Sequence, residues 1–323
     1  MDKQSASINK IDTPPTLKRN IPSNILCFSH LRWDFVFQRP QHLLTRFSKI
    51  FNIYYLEEPL FENISVPYLS KSAREENLWV LTPHIPEGLS QQEILDVQEE
   101  LVENFLLKEN LNDYAFWYYT PMALEFSRNF EPSVVIYDCM DELSAFKFAP
   151  QSIKQLEKEL FRKADVVFTG GHSLYEAKQH QHPNIFPFPS SIDKSHFGKA
   201  RTYKKAPKDQ LSIPGPRIGF FGVIDERFDI DLIRIMAESR PEWQFVLIGP
   251  IVKIDPATLP QRENIHYMGS KAYLELPEYL SGWDIALIPF LLNESTQFIS
   301  PTKTPEYLAA GIPVVSSAIK DVV

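Results

Sequence analysis

Eleven short apolar runs, each followed by polar or helix-forming sequence, constrain this chain more than any other feature. The first series is "NILCFSH" (24–30), "NIYYLEEP" (52–59), "LWVLTP" (78–83), "AFWYYTP" (115–121), "SVVIYDCMDE" (133–142) and "ADVVFTGG" (164–171). The second is "PRIGFFGVI" (216–224), "WQFVLIGP" (243–250), "NIHYMG" (264–269), "DIALIPF" (284–290) and "IPVVSS" (312–317). The runs are continuously apolar rather than alternating, which is the pattern of strands covered on both faces. Helical segments lie between them. In residues 90–109, Ser90 and Glu93 form a capping box, and Ile94, Val97, Leu101 and Phe105 fall on one face. In residues 152–163, Ile153, Leu156 and Leu160 recur at helical spacing. Strands alternating with helices imply parallel, doubly wound sheets.

At 323 residues the chain exceeds what one core usually supports, so two domains are expected. The two series place them at residues 23–200 and 216–323, with a linker at 201–215 and a disordered arm at 1–22. Six of the fifteen residues 194–208 are Lys or Arg, which fits a solvated linker or a patch attracted to phosphates or anionic lipid. The net charge of −8 argues against a general nucleic-acid binder. Two cysteines, Cys27 and Cys139, are too few for a disulfide framework or a cysteine zinc site. The N-terminus has no secretory apolar region and no run reaches membrane-spanning length, so a cytoplasmic protein is expected, able to contact the inner membrane face peripherally.

Ligands of open parallel sheets bind beyond the carboxyl ends of the strands, so two such domains frame a cleft. In the second series, Gly219 and Gly222 permit a tight turn after "IGFFG", although the spacing is not that of a nicotinamide fingerprint. Arg227 follows, either as a phosphate clamp or as a surface partner of Asp225 or Asp229. Gly249 and "MGS" (268–270) are either close approaches to a ligand or ordinary turns. The stretch "SPTKTPEYLAAG" (300–311) starts a helix, with Thr304 as cap and Pro305 in the first turn. Ser300, Thr302 and Lys303 with free N–H groups there make an anion site. Glu306 is either a carboxylate favoured by the helix start or an acceptor for ribose hydroxyls.

The stretch "SPTKTPEYLAAGIPVVSS" resembles the donor-nucleotide loop and helix of GT-B glycosyltransferases of the glycosyltransferase-4 (group 1) type. "PFPSSIDKSHFGKA" (187–200) and "ADVVFTGGHSLYEAK" (164–178) resemble other elements of that family. "HLRWDFVFQRPQHLLTRFSK" (30–49) and "YDCMDELSAF" (137–146) are similar to a bacterial branch that decorates cell-surface polysaccharides, of the teichuronic-acid transferase kind. The resemblance covers residues 24–323 and implies two Rossmann-like domains facing a cleft. It implies a nucleotide-diphosphate sugar donor held by the C-terminal domain and a glycan or lipid-linked acceptor held by the N-terminal one. Nucleic acid, metal and cofactor are not expected.

Residue by residue, the resemblance assigns Glu306 to the donor ribose and Lys303, Thr302 and neighbouring N–H groups to the diphosphate loop; Gly222, Gly249 and Ser300 complete the expected donor-binding set. Arg227 and Lys303 would supply positive charge to the leaving diphosphate, and a retaining outcome is implied by the family. On the acceptor side stand His30, Arg32, Trp33, Asp34 and Arg39 after the first strand, and Asp138 and Asp141 after a later one. Asp138 is taken as the group that orients or deprotonates an acceptor hydroxyl, turn capping being the alternative for both aspartates. Three departures from the family stand out. Phe298 takes the place of a second glutamate, Val223 replaces an arginine, and the chain stops at "SAIKDVV", so a shortened C-terminal domain is expected. A sugar transferase is the first reading; a catalytically inactive relative serving as a scaffold, or a nucleotide-sugar epimerase, are the alternatives.

Overall fold

The computed structural model describes residues 22–203 and 205–323. The expected arm at 1–22 therefore lies, except for Pro22, outside the described residues.

Nine strands form the first sheet: β1 (Asn24–Phe28), β2 (Asn52–Leu56), β3 (Leu60–Glu62), β4 (Tyr68–Glu75), β5 (Leu78–Pro86), β6 (Tyr114–Tyr118), β7 (Val134–Cys139), β8 (Val166–Thr169) and β9 (Ile185–Pro187). Five form the second: β10 (Arg217–Phe221), β11 (Gln244–Ile248), β12 (Ile265–Tyr267), β13 (Ile285–Ile288) and β14 (Val314–Ser316). The helices are α1 (Arg39–Phe47), α2 (Gln91–Lys108), α3 (Leu124–Ser127), α4 (Ile153–Lys163), α5 (His172–Lys178), α6 (Lys194–Gly198), α7 (Lys208–Leu211), α8 (Ile230–Ser239), α9 (Leu276–Leu280) and α10 (Lys303–Ala310).

The first sheet runs β3-β5-β2-β1-β6-β7-β8-β9, with β4 paired to β5; the second runs β12-β11-β10-β13-β14. Every pairing is parallel except β4 with β5. Both sheets are thus doubly wound, and the strand order reverses beside β1 in one and beside β10 in the other. Burial on both faces explains the continuous apolar runs. Along β1, Ile25 and Cys27 face one core and Leu26 and Phe28 the other. Cys27 and Cys139 are free and buried, and burial pushes both thiols well above their ordinary range. Strand β4, "YLSKSARE", is almost wholly exposed along the sheet edge, so no apolar run marked it.

Two local expectations shift. The capping box of α2 forms, with Glu93 Oε2 accepting from Ser90 N at 2.7 Å. Its buried stripe, however, is Gln98, Val102, Phe105 and Leu106, one position along from Ile94, Val97 and Leu101. The expected linker is also displaced. Ile192, Phe197, Ala200 and Ile213 pack into the second core, so the chain joins that unit well before residue 201. Within the basic stretch, Arg201 donates to the carbonyls of Ala309 and Leu308 at 2.7 and 2.8 Å, capping the end of α10. Among the described residues, no helix is long and apolar enough to cross a membrane.

Several contacts tie the two units together. Phe37 stacks on Tyr273 at 4.3 Å, and Tyr273 stacks on His196 at 4.2 Å. Asp321 accepts from Ser173 N at 2.9 Å, and Lys320 pairs with Glu176.

Candidate active site

Between the units lies a cavity of ≈ 500 Å³, walled by the loop after β1, the ends of β10 and β11, and the start of α10. Gly222 and Gly249 end their strands at φ +143° each, a backbone conformation that side chains rarely adopt. A Cβ on Gly249 would lie 1.9 Å from Gly222 O, and one on Gly222 would lie 2.5 Å from Lys303 Cε. The two glycines let the strand ends nest and let Lys303 reach beneath them.

Helix α10 starts at Lys303, with Thr302 at the cap position and no side-chain capping bond, rather than at Thr304 as predicted. The difference has a simple cause. The first turn of a helix needs no N–H within the helix, so Pro305 is tolerated at its third position. The earlier start carries Glu306 inward, where it is only 6% exposed. It also leaves the N–H groups of Lys303 and Thr304 without helical acceptors. The left-handed Gly311, φ +85°, ends the helix as expected.

The electrostatics of this corner are unusual. The Lys303 ammonium has no hydrogen-bond or ion-pair partner among the described residues; it lies over the rings of Phe220 and Phe290 at 5.6 and 5.7 Å. Burial holds its pKa below the ordinary lysine range, Glu306 opposing that shift. Burial raises Glu306 to about 7, against the pull of Lys303. A half-buried cation without a counter-ion beside a buried carboxyl is costly, and both would be relieved by an anion with hydroxyl donors.

Arg227 also lines the cavity, but its guanidinium already meets Asp225, with contacts of 3.0, 3.1 and 2.6 Å. Phe146 of the first unit lies under it at 5.3 Å. Thus both sequence readings of Arg227, surface partner and cleft residue, describe the same side chain. Ser300, Thr302, Lys303 and Glu306 converge on the cavity with Gly222 and Gly249.

The acceptor-side residues divide. Trp33, Asp34, Arg39 and Asp141 line the cavity. Asp138 does not. It is fully buried, with Arg39 Nη2 at 2.8 Å and Arg39 Nε at 3.0 Å from both carboxylate oxygens. Burial raises its pKa while Arg39 opposes the rise. Of Asp138 and Asp141, only Asp141 therefore faces the cavity. Burial raises Asp141 to about 6, against Arg227 and Arg39. His30 and Arg32 lie outside the cavity wall. His30 is largely enclosed, its Nδ1 has no partner among the described residues, and burial with help from Lys253 lowers its pKa to about 4. Arg32 pairs with Glu57 at 3.2 Å and donates to Pro59 O at 3.0 Å. Asp34 is held by Arg74 at 2.6 Å.

Phe298, where the family resemblance calls for a glutamate, packs against the first unit's core while its neighbours Ile299 and Ser300 line the cavity. Sequence reasoning missed Tyr273, which also lines it. The turn glycine of "MGS" pointed to this loop, but nothing in the sequence said that the following tyrosine would reach across to Phe37.

The comparisons agree with this geometry. Residues 215–323 match the family described as Glycosyl transferases group 1. Over 222 residues the chain is 26% identical to TuaH of Bacillus subtilis (strain 168), named for teichuronic acid biosynthesis as a glycosyltransferase. That stretch is 63% of this chain and 55% of TuaH, so the chain spans about half the length of this curated relative. The E. coli trehalose-6-phosphate structure bound with UDP-2-fluoro glucose superposes with TM-score 0.63 at 14% identity, over 93% of this chain and 85% of that one. Anabaena HepE in complex with UDP gives 0.60 at 14% identity, over 93% and 81%. Sucrose-phosphate synthase from Thermosynechococcus elongatus gives 0.62 at 14% identity, over 92% and 82%. At such identities the likeness is one of fold. Two doubly wound units facing one cleft, with the matched domain forming its second wall, give this chain the GT-B fold, and its residues 215–323 match the group 1 glycosyl transferase family.

Proposed function

We propose that the chain transfers a sugar from a nucleoside diphosphate donor to a glycan or lipid-linked acceptor destined for the cell surface. The observation that carries this reading is the half-buried Lys303 ammonium, without a hydrogen-bond or ion-pair partner among the described residues, at the N-terminus of α10 beside Glu306 and beneath two glycine strand ends. A diphosphate supplies the missing counter-charge, and Glu306 ionises to accept two ribose hydroxyls. As the bond from anomeric carbon to phosphate oxygen breaks, negative charge grows on the departing diphosphate. Lys303, the α10 N-terminus and Arg227 are fixed in position to stabilise it. Asp141, across the cavity and titrating at about 6, orients the acceptor hydroxyl and accepts its proton. The family resemblance favours retention at the anomeric carbon. TuaH's name supports a cell-envelope polysaccharide as product, assembled on the cytoplasmic face.

The test is transfer of label from a panel of radiolabelled nucleotide sugars into membrane extract. Label should enter a glycan or lipid fraction with one donor and be lost with Lys303→Ala. Intact nucleotide binding with no transfer from any donor would favour a scaffold role instead.

A further inference from the structure

The first unit contains a second recess, of ≈ 290 Å³, that the donor site does not use. Its floor is formed by Phe28 and Leu56, the last residues of β1 and β2, and by Thr120, just past β6. It therefore sits at the carboxyl ends of the strands flanking the reversal between β1 and β6, where doubly wound sheets bind their ligands. One hydrogen bond links its wall to that of the cleft cavity. Trp33, which lines that cavity, donates its N–H to Glu57, which lines the recess; Glu57 is further held by Arg32 and by Thr82 Oγ1 at 3.3 Å.

The lining has a specific chemistry. Gln98 is only 8% exposed, yet its carboxamide has no hydrogen-bond partner among the described residues, so its donors and acceptors face the recess. Glu58, Gln91 and Glu125 also line the recess. Phe61, 48% exposed, offers an aromatic face beside them. The lining contains three glutamates and no cation. Its volume is at the low end of the range of about 300–1,000 Å³ that holds drug-sized ligands, enough for a sugar ring and too small for a long lipid chain. Carboxamides and carboxylates pair with hydroxyls, and an aromatic face takes the apolar face of a pyranose. Glu57 is balanced by Arg32, but Glu58 and Glu125 have no ion-pair partner among the described residues and repel a uronate or a phosphate.

We propose that this recess is a subsite for an uncharged sugar residue of the acceptor glycan, next to the one that receives the new sugar. The identification of the ligand as an acceptor rests on the transferase reading above.

The experiment is a ligand-observed NMR titration of the whole chain with short neutral oligosaccharides (cello-, malto- and N-acetylchito- series) and with oligogalacturonides of equal length. A neutral series should bind, and the oligogalacturonides should bind about tenfold more weakly. Gln98→Leu and Phe61→Ala should each weaken neutral binding about fivefold while UDP binding stays unchanged. Phe61 is exposed, so its truncation keeps the test valid if the Gln98 variant misfolds. Equal binding of neutral and acidic oligomers, wild-type binding by Phe61→Ala, or no binding of any neutral series would overturn the proposal. Failure of nucleotide binding alone would count against the donor site and leave this recess standing.

Discussion

Lys303 and Glu306 are two side chains whose charges depend on each other and on what fills the cavity. Glu306 titrates at about 7 when folded and near the ordinary carboxyl range when unfolded, so the folded chain holds the extra proton between those values. Its contribution to stability is therefore complete at low pH and lost as pH rises through about 7. Glu306→Gln should remove this slope and make the chain more stable at pH 8, by at most about 3 kcal/mol in denaturant titrations. Nucleoside diphosphate affinity should move the other way, strengthening as Glu306 ionises and falling again when Lys303, depressed by burial, loses its proton. A phosphate titrates in the same range, so the difference between wild type and Glu306→Gln isolates the carboxyl. The two aspartates of "YDCMD" should separate by measurement. Asp138→Asn leaves Arg39 buried without its counter-ion and should cost about 3–5 kcal/mol of stability. Asp141→Asn should leave stability nearly unchanged and reduce turnover by about 10²–10⁴. The sequence reading put Asp138 forward for the chemistry, whereas Asp138 lies within β7 and it is Asp141, past the strand end, that meets the cleft.

At the scale of elements, the strand-end glycines and the start of α10 make one device. Gly222→Ala forces a Cβ against Lys303 at a backbone angle unfavourable to it. Nucleotide affinity should fall more than tenfold with folding largely retained, as read by calorimetry beside thermal unfolding. Ser90→Ala, far from the cleft, should cost about 1 kcal/mol through the α2 cap and leave binding untouched. The apolar runs made eleven of the fourteen strands legible, because burial on both faces writes itself into composition. Strands β3, β4 and β9 were missed: β4 is polar and exposed, and the other two are short and carry exposed residues. The inward stripe of α2 was misread by one position because a polar residue, Gln98, stands on its buried side.

For the whole molecule, the two sheets followed from the order of the apolar runs, and the stretch 300–311 pointed to a wall of the cleft cavity. What crosses between units did not. Phe37 against Tyr273, Phe146 beneath Arg227 and Asp321 on Ser173 join residues about eighty or more positions apart, and no local pattern encodes them. The same holds for residues 192–213, whose packing on the second core replaces the linker that their charge suggested. The central claim is that the cavity at the start of α10 holds the diphosphate of a donor. Calorimetry with UDP, GDP, ADP and CDP tests it most directly. One of the four should bind, and Lys303→Ala should weaken that binding about ten- to hundredfold. Absence of binding by all four, or equal affinity in Lys303→Ala, would contradict it.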